Sequence, residues 1–295
     1  YSHQRKLQSL VDAGGQYAFF QPIFKSSLNS QVNLRNHRKI YLFDQTTLLT
    51  GGMNLSSDYL GVQNTQKPYW KDLLQKISGP ATLHYQNIFN EDWQYTTKQP
   101  LKNKLPETTY HLPINNQSAT VQVIPAGPDI ENDVLFEALL HSIFAAKKSI
   151  DIVSPYFIPD SSLMNALLIA IKRGVTVTLI TPFKSDHFIF DLGRSSYMRE
   201  LKENGGTVFL DTSAMLHAKL ILIDEECVII GSANLDYRSI FINHEVVNFI
   251  YSETIINEMK TWLDTLKAEA KLYEPNSKKQ HRFLENLTRI FAPIL

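Results

Sequence analysis

The pattern that decides the fold is His217-Ala218-Lys219, followed by Leu220 to Ile223, Asp224 and Gly231-Ser232-Ala233-Asn234. An earlier stretch repeats it as His37-Arg38-Lys39, Asp44 and Gly51-Gly52-Met53-Asn54. The histidine, lysine, aspartate, first glycine and asparagine recur at 217−37, 219−39, 224−44, 231−51 and 234−54, each a difference of 180. One His-x-Lys on a strand is usually a surface coincidence. Two copies in register over five positions mark a duplicated structural unit.

The residue types fit one chemistry. Residues two apart on a strand project to the same face, so each His-x-Lys sets an imidazole beside an ammonium. If the duplicated units pair about a pseudo-twofold axis, two histidines, two lysines (Lys39 and Lys219) and two asparagines (Asn54 and Asn234) surround one phosphate. Phosphoryl transfer depends on positioning and on neutralising charge on the equatorial oxygens, which these donors supply without a metal or other cofactor. One histidine attacks phosphorus while the other, protonated, serves the leaving alkoxide and then takes a proton from the incoming hydroxyl. Each imidazole needs a carboxylate to fix its tautomer. By order along the chain, Glu245 is the candidate for His217 and Asp72 for His37. Asp44 and Asp224 complete the catalytic motifs, but their places at hairpin turns suit local hydrogen bonding and a structural or supporting role.

Outward from the motifs, Lys39 to Phe43 and Thr46 to Thr50 read as a hairpin, with Leu73 to Ile77 a further strand. Gln4 to Asp12 reads as a short helix, Gln16 to Phe20 as a strand, and Pro80 to Trp93 as a helix. Thr96 to Gln117 is polar, holds three prolines and reads as a linker, so the expected domains are 1–110 and 111–295. The second half alternates strands (from Val121, Ile150, Val175, Thr207 and Glu245) with helices (Asn132 to Lys148, Ser161 to Arg173, Phe190 to Asn204, Glu253 to Lys271), as an α/β layered domain does. Gly14-Gly15 matches Gly205-Gly206, yet three strands and two helices precede the latter and nothing comparable precedes the former. By the repeat argument roughly 70 residues of a first domain are expected ahead of Tyr1. Lys278 to Leu295 carries an apolar helical stripe that suits either a core or a lipid surface, more often a core.

Bulk composition narrows the classes. The chain has 295 residues, 43% hydrophobic and 20% charged, with 29 basic against 29 acidic residues and a pI near 7.3. That balance gives no basic field for nucleic acid. Cys227 is the only cysteine, which excludes an internal disulfide and any zinc site with more than one thiolate. No uninterrupted apolar run reaches the length of about eighteen residues that a membrane-spanning helix needs.

The motifs resemble the paired HKD motifs of the phospholipase D superfamily, and their surroundings resemble bacterial cardiolipin synthases. The resemblance rests on Asn36-His37-Arg38-Lys39, Gly51-Gly52-Met53-Asn54 with Asp58-Tyr59-Leu60-Gly61, Pro155-Tyr156-Phe157-Ile158-Pro159-Asp160, Arg173-Gly174-Val175, Gly231 to Ser239 and Asn243 to Glu245, and it covers nearly the whole chain. It implies two similar phospholipase D-like α/β/α sandwich domains related by pseudo-twofold symmetry, the first incomplete at its N-terminus. It implies transfer of a phosphatidyl group from one phosphatidylglycerol to another with release of glycerol, His37 as nucleophile, His217 as acid and base, and Ser232 assisting at the phosphate. Phosphatidylglycerol and a membrane surface are the partners it implies, at the bacterial inner membrane, where an N-terminal anchor holds such proteins. The competing readings are a phospholipase D that passes the group to water or a small alcohol, and a nuclease or a non-catalytic scaffold on the same fold. Among the remaining histidines, His187 follows a buried-type strand and suits a rim position; His3, His84, His111 and His141 read as surface or core.

Overall fold

Leu220–Ile223 and Cys227–Gly231 hold almost nothing but apolar residues, and a strand of that kind buries both faces. In the computed structural model, which describes residues 7–20, 34–60, 69–100 and 118–275, they lie in the middle of a large sheet. Its eight strands run in the order Lys271–Leu272, Thr207–Asp211, Thr176–Pro182, Ser149–Val153, Leu220–Ile223, Cys227–Gly231, Glu245–Tyr251 and Thr120–Ala126. The strands at 149–153, 176–182 and 207–211 are mutually parallel, and the hairpin and its neighbours are antiparallel.

Alternation decides which helices cover which face. Ile221, Ile223 and Ile229 join a core with Leu139, Leu163, Leu167 and Leu201, from the helices Val134–Ala145, Ser161–Lys172 and Phe188–Glu203. Leu220, Leu222, Val228 and Ile230 face the other way, onto Ile256, Leu263 and Leu266 of the helix Glu253–Glu269. The second half is therefore a three-layer α/β/α unit, as the strand and helix alternation predicts.

The first half carries a three-stranded sheet, Ile40–Phe43, Thr47–Gly51 and Leu74–Ser78 in that order, with the helix Ala81–Thr97 against it. Its registers repeat those of the larger sheet: Gly51 pairs with Leu74 as Gly231 pairs with Val247. Leu48, Tyr85 and Ile88 pack on Val246 of the second half. A polar chain continues the junction: the Tyr85 hydroxyl donates to Asn248 Oδ1 (2.8 Å), and the Asn248 amide donates to Gln75 Oε1 (3.1 Å).

Three expectations are corrected. Gln16 to Phe20 forms no strand, because among the described residues no sheet edge lies alongside to complete its ladder. The expected loop at 155–159 contains the two-residue strand Phe157–Ile158, which pairs in parallel with Leu235–Asp236. The helix from Pro80 runs on to Thr97, four residues past Trp93, and closes on a left-handed Lys98. The boundary at 110 and the stripe at 278–295 lie outside the described residues, as do His3 and His111.

Candidate active site

Each histidine is placed by a backbone junction with the opposite half. The His37 amide donates to the His244 carbonyl (2.9 Å), and the His217 amide donates to the Lys71 carbonyl (2.7 Å). Isolated parallel bridges, Asn36 with His244 and Leu216 with Lys71, flank these bonds. The next residues after His244 and Lys71 are the carboxylates Glu245 and Asp72, so each half delivers an acid to the other half's histidine.

The side chains follow. His37 Nδ1 lies 3.0 and 3.1 Å from the two oxygens of Glu245, and His217 Nδ1 lies 2.8 Å from Asp72 Oδ2. This corrects the assignment by chain order, which gave Glu245 to His217 and Asp72 to His37. The physical reason is the sheet register: Glu245 and Asp72 sit where their strands meet the other half, past the hairpin of their own. With Nδ1–H on a carboxylate, Nε2 of His37 is left for chemistry, while Nε2 of His217 lies beside the Lys219 ammonium.

Ser232 is fully buried; its hydroxyl donates to Glu245 and accepts the Val246 amide (3.0 Å), so it braces the acid behind His37. The corresponding place in the first copy is Gly52, where an added Cβ would stand 2.3 Å from Asp72 Oδ1. Glycine with aspartate and serine with glutamate are thus two ways of filling one space.

The third motif residue does other work. Asp44-Gln45 and Asp224-Glu225 all have left-handed backbones, with φ of 47°, 60°, 54° and 58°, the signature of tight hairpin turns. Asp224 accepts the amides of Lys147, Lys148 and Ser149 at 2.7–2.9 Å. A strand's rise puts it roughly 16 Å from Lys219, far from the imidazoles. Asp44 is exposed at the equivalent turn. Asp224 is thus tied to the start of the neighbouring strand.

The lysines are buried beside their histidines. Lys39 Nζ donates to the His37 carbonyl (2.7 Å), and Lys219 Nζ donates to the His217 carbonyl and stands 2.8 Å from His217 Nδ1 and 3.1 Å from Nε2. Burial lowers Lys39 to about 7, reinforced by Lys219 and opposed by Glu245 and Asp72. Burial likewise lowers Lys219 to about 8 against Asp72 and Glu245. Glu245 touches both His37 and Ser232, and Asp72 touches His217 and abuts Gly52, so the two copies converge on one site. Burial pushes the Glu245 carboxyl up, but His37, Lys39 and the Ser232 hydroxyl together outweigh it and leave it below its ordinary value.

The two histidines are not equivalent. His37 has a side chain 29% exposed; that of His217 is 7% exposed. Trp70 and Tyr59 stand 5.2 and 5.6 Å from the His217 ring, Tyr156 meets it edge-on at 6.4 Å, and the Tyr59 hydroxyl lies 2.9 Å from Nδ1. Burial, then Lys219 and Lys39, pull His217 down to about 4 despite Asp72. Of the asparagines, Asn54 is exposed with its amide 3.5 Å from the Tyr59 hydroxyl, while Asn234 is buried beside Lys219 with Oδ1 unpartnered. A cleft of about 470 Å³, lined by Asp58, Tyr69, Trp70, Phe183 and Met215 among others, opens beside this cage.

Sequence reasoning missed Tyr59, Trp70, Tyr156 and Arg38. Tyr59 and Tyr156 lay within quoted motifs, but nothing in their spacing points to His217. Arg38, 2% exposed, donates to the carbonyls of Glu245 (3.0 Å) and Ala126 (3.0 Å) and to Asp92 (2.7 Å), tying the first half's helix to the acid-bearing strand. The second copy has Ala218 there, so the repeat gave no signal.

Residues 139–267 match the family described as "Cardiolipin synthase, PLD-like domain". Cardiolipin synthase 1 of Bacillus anthracis is 34% identical over 99% of this chain and 59% of its own length. The major cardiolipin synthase ClsA of Bacillus subtilis is 34% identical over 98% of this chain and 60% of its own. The chain thus spans about three-fifths of the length of these curated relatives. Phosphatidylserine synthase of Haemophilus influenzae shares the fold at a TM-score of 0.66 and 16% identity, over 90% of this chain and 70% of that one.

Proposed function

We propose that this chain, similar over nearly its whole length to bacterial cardiolipin synthases and over residues 139–267 to their phospholipase D-like domain, belongs to that family and transfers a phosphatidyl group from one phosphatidylglycerol to another, releasing glycerol. The observation that carries the reading is the crossed pairing of His37 with Glu245 and His217 with Asp72, each with a buried lysine alongside.

In this reading the lipid phosphate sits between Lys39 and Lys219, with the Asn54 and Asn234 amides directed to its oxygens. His37, the more open of the two, attacks phosphorus through Nε2 while Glu245 holds its Nδ1–H. The phosphorus–oxygen bond to glycerol breaks, and glycerol leaves with a proton from His217. Neutral His217 then takes the proton of the acceptor's headgroup hydroxyl, whose oxygen displaces His37 and completes cardiolipin. With the site empty, His217 is held neutral; a phosphodiester anion offsets the field of the two ammoniums, so substrate and proton load together. Ser232 contributes through Glu245. The work is done from a bacterial inner-membrane surface; no helix among the described residues is long and apolar enough to cross a membrane.

The test is incubation of the purified protein with phosphatidylglycerol vesicles. Cardiolipin and glycerol in equal amounts are expected, with both lost in His37→Asn. Phosphatidic acid as the sole lipid product would overturn the transfer reading in favour of hydrolysis by the same groups. Phosphodiester cleavage only in DNA would overturn the lipid reading altogether.

A further inference from the structure

Among the described residues, the large apolar side chains at 59% exposure or more are Leu55, Leu60, Phe183, Phe188 and Ile189. All of them lie on two short segments, 55–60 and 183–189, that supply walls of the cleft beside His217. Leu55 and Leu60 bracket Tyr59, whose hydroxyl reaches His217; Phe183, Phe188 and Ile189 bracket Asp186, which accepts the hydroxyl of Tyr156. The cleft beside the cage passes between the two segments, with Ser57, Asp58 and Tyr69 on one wall and Phe183 and Lys184 on the other. Exposed apolar side chains cost nothing when scattered, but their concentration around one opening marks a surface that meets an apolar partner.

The presentation is built from beneath. Buried Arg194 pairs with Asp191 (2.7 Å), donates to Thr181 Oγ1 (2.7 Å) and to the Phe183 carbonyl (3.3 Å), and Asp191 in turn accepts the Ser185 amide (3.1 Å). The segment from Phe183 to Ile189 is therefore fixed with its apolar side chains outward, and Lys184 stands exposed among them.

We infer that this rim is where the protein docks on a phospholipid bilayer, with Leu55, Phe188 and Ile189 entering the acyl boundary and the cleft opening onto the headgroup layer. The inference rests on the lipid-substrate reading above. A lipid phosphate can reach His37 and His217 without leaving its monolayer only if the surface around the opening is itself wetted by lipid. Exposed aromatic and aliphatic side chains ringing a cleft are the composition that a lipid interface takes up, and Lys184, Asp58 and Asp186 stand exposed among them at headgroup level.

The experiment compares the unaltered protein with the triple variant Leu55→Ser, Phe188→Ser, Ile189→Ser, none of which touches the reacting groups. Flotation with phosphatidylcholine vesicles containing phosphatidylglycerol measures docking, and turnover is followed on those vesicles and on short-chain phosphatidylglycerol below its micelle threshold. Removing three large side chains is expected to cut vesicle partitioning at least ~100-fold and vesicle turnover in step, with monomeric turnover within twofold. Unchanged vesicle binding, or no vesicle binding by the unaltered protein, would overturn the docking face. An equal fall on monomeric substrate would also overturn it, since the side chains would then be building the site. Absence of turnover on either substrate by a vesicle-bound unaltered protein would instead count against the catalytic reading and leave the docking result standing.

Discussion

A single carboxylate oxygen decides which half of the molecule each histidine answers to. Because Asp72 holds His217 and Glu245 holds His37, the two acids have separable signatures. Asp72→Asn shifts the His217 imidazole resonances and leaves those of His37 in place, and Glu245→Gln does the reverse; each lowers kcat by about 100-fold or more with little change in KM. Reversed resonance shifts would restore the assignment by chain order. The lysines give a second expectation. Lys39 loses its proton near pH 7 and Lys219 near 8 in the empty site, so KM for the lipid phosphate rises as pH climbs through that range. A KM flat from pH 6 to 9 would show that neither ammonium binds the phosphate. These residues were legible as candidates because the repeat aligned them; their partners were not, since crossing the acids leaves every spacing in the sequence unchanged.

At the scale of the element, the hairpin Leu220–Ile223 and Cys227–Gly231 carries chemistry at one end and a structural turn at the other. Burial alone would push the Asp224 carboxyl up, but the three amides that its carboxylate accepts at the start of the neighbouring strand outweigh it and hold the group below the usual carboxylate range. Asp224→Ala leaves those amides without their acceptor and costs about 2–3 kcal/mol, read as a lower midpoint in urea, while kcat stays within twofold at temperatures where the variant is folded. A large fall in kcat with unchanged stability would return the residue to the catalytic set. Turn chemistry made this role visible in the sequence: two consecutive left-handed residues between two apolar runs favour an aspartate for local reasons. The short pairing of Phe157–Ile158 with Leu235–Asp236 was not visible, because two residues have no periodicity to read.

For the molecule as a whole, burying the reactive groups between the halves has a cost at low pH. His217 titrates near 6.5 when unfolded and at about 4 when folded. Between those values the unfolded chain binds a proton that the folded one refuses, so stability declines as pH falls through the window, by on the order of 3 kcal/mol from this group. Urea unfolding between pH 7 and 4 is expected to show a shallower acid loss in His217→Asn; identical slopes would place the acid sensitivity elsewhere. The sequence by itself determined the duplication, the layered α/β second half, and the histidines, lysines and asparagines that the repeat superimposes. These are local or periodic properties, written in side-chain alternation and in a constant offset. Only the tertiary structure decided that each acid crosses to the other half, that Ser232 braces Glu245, that Arg38 ties the halves together and that aromatic rings seal His217 while His37 stays open. Those depend on which edge of one half lies against the other, and a pairing between edges distant in the chain leaves no periodic trace in either.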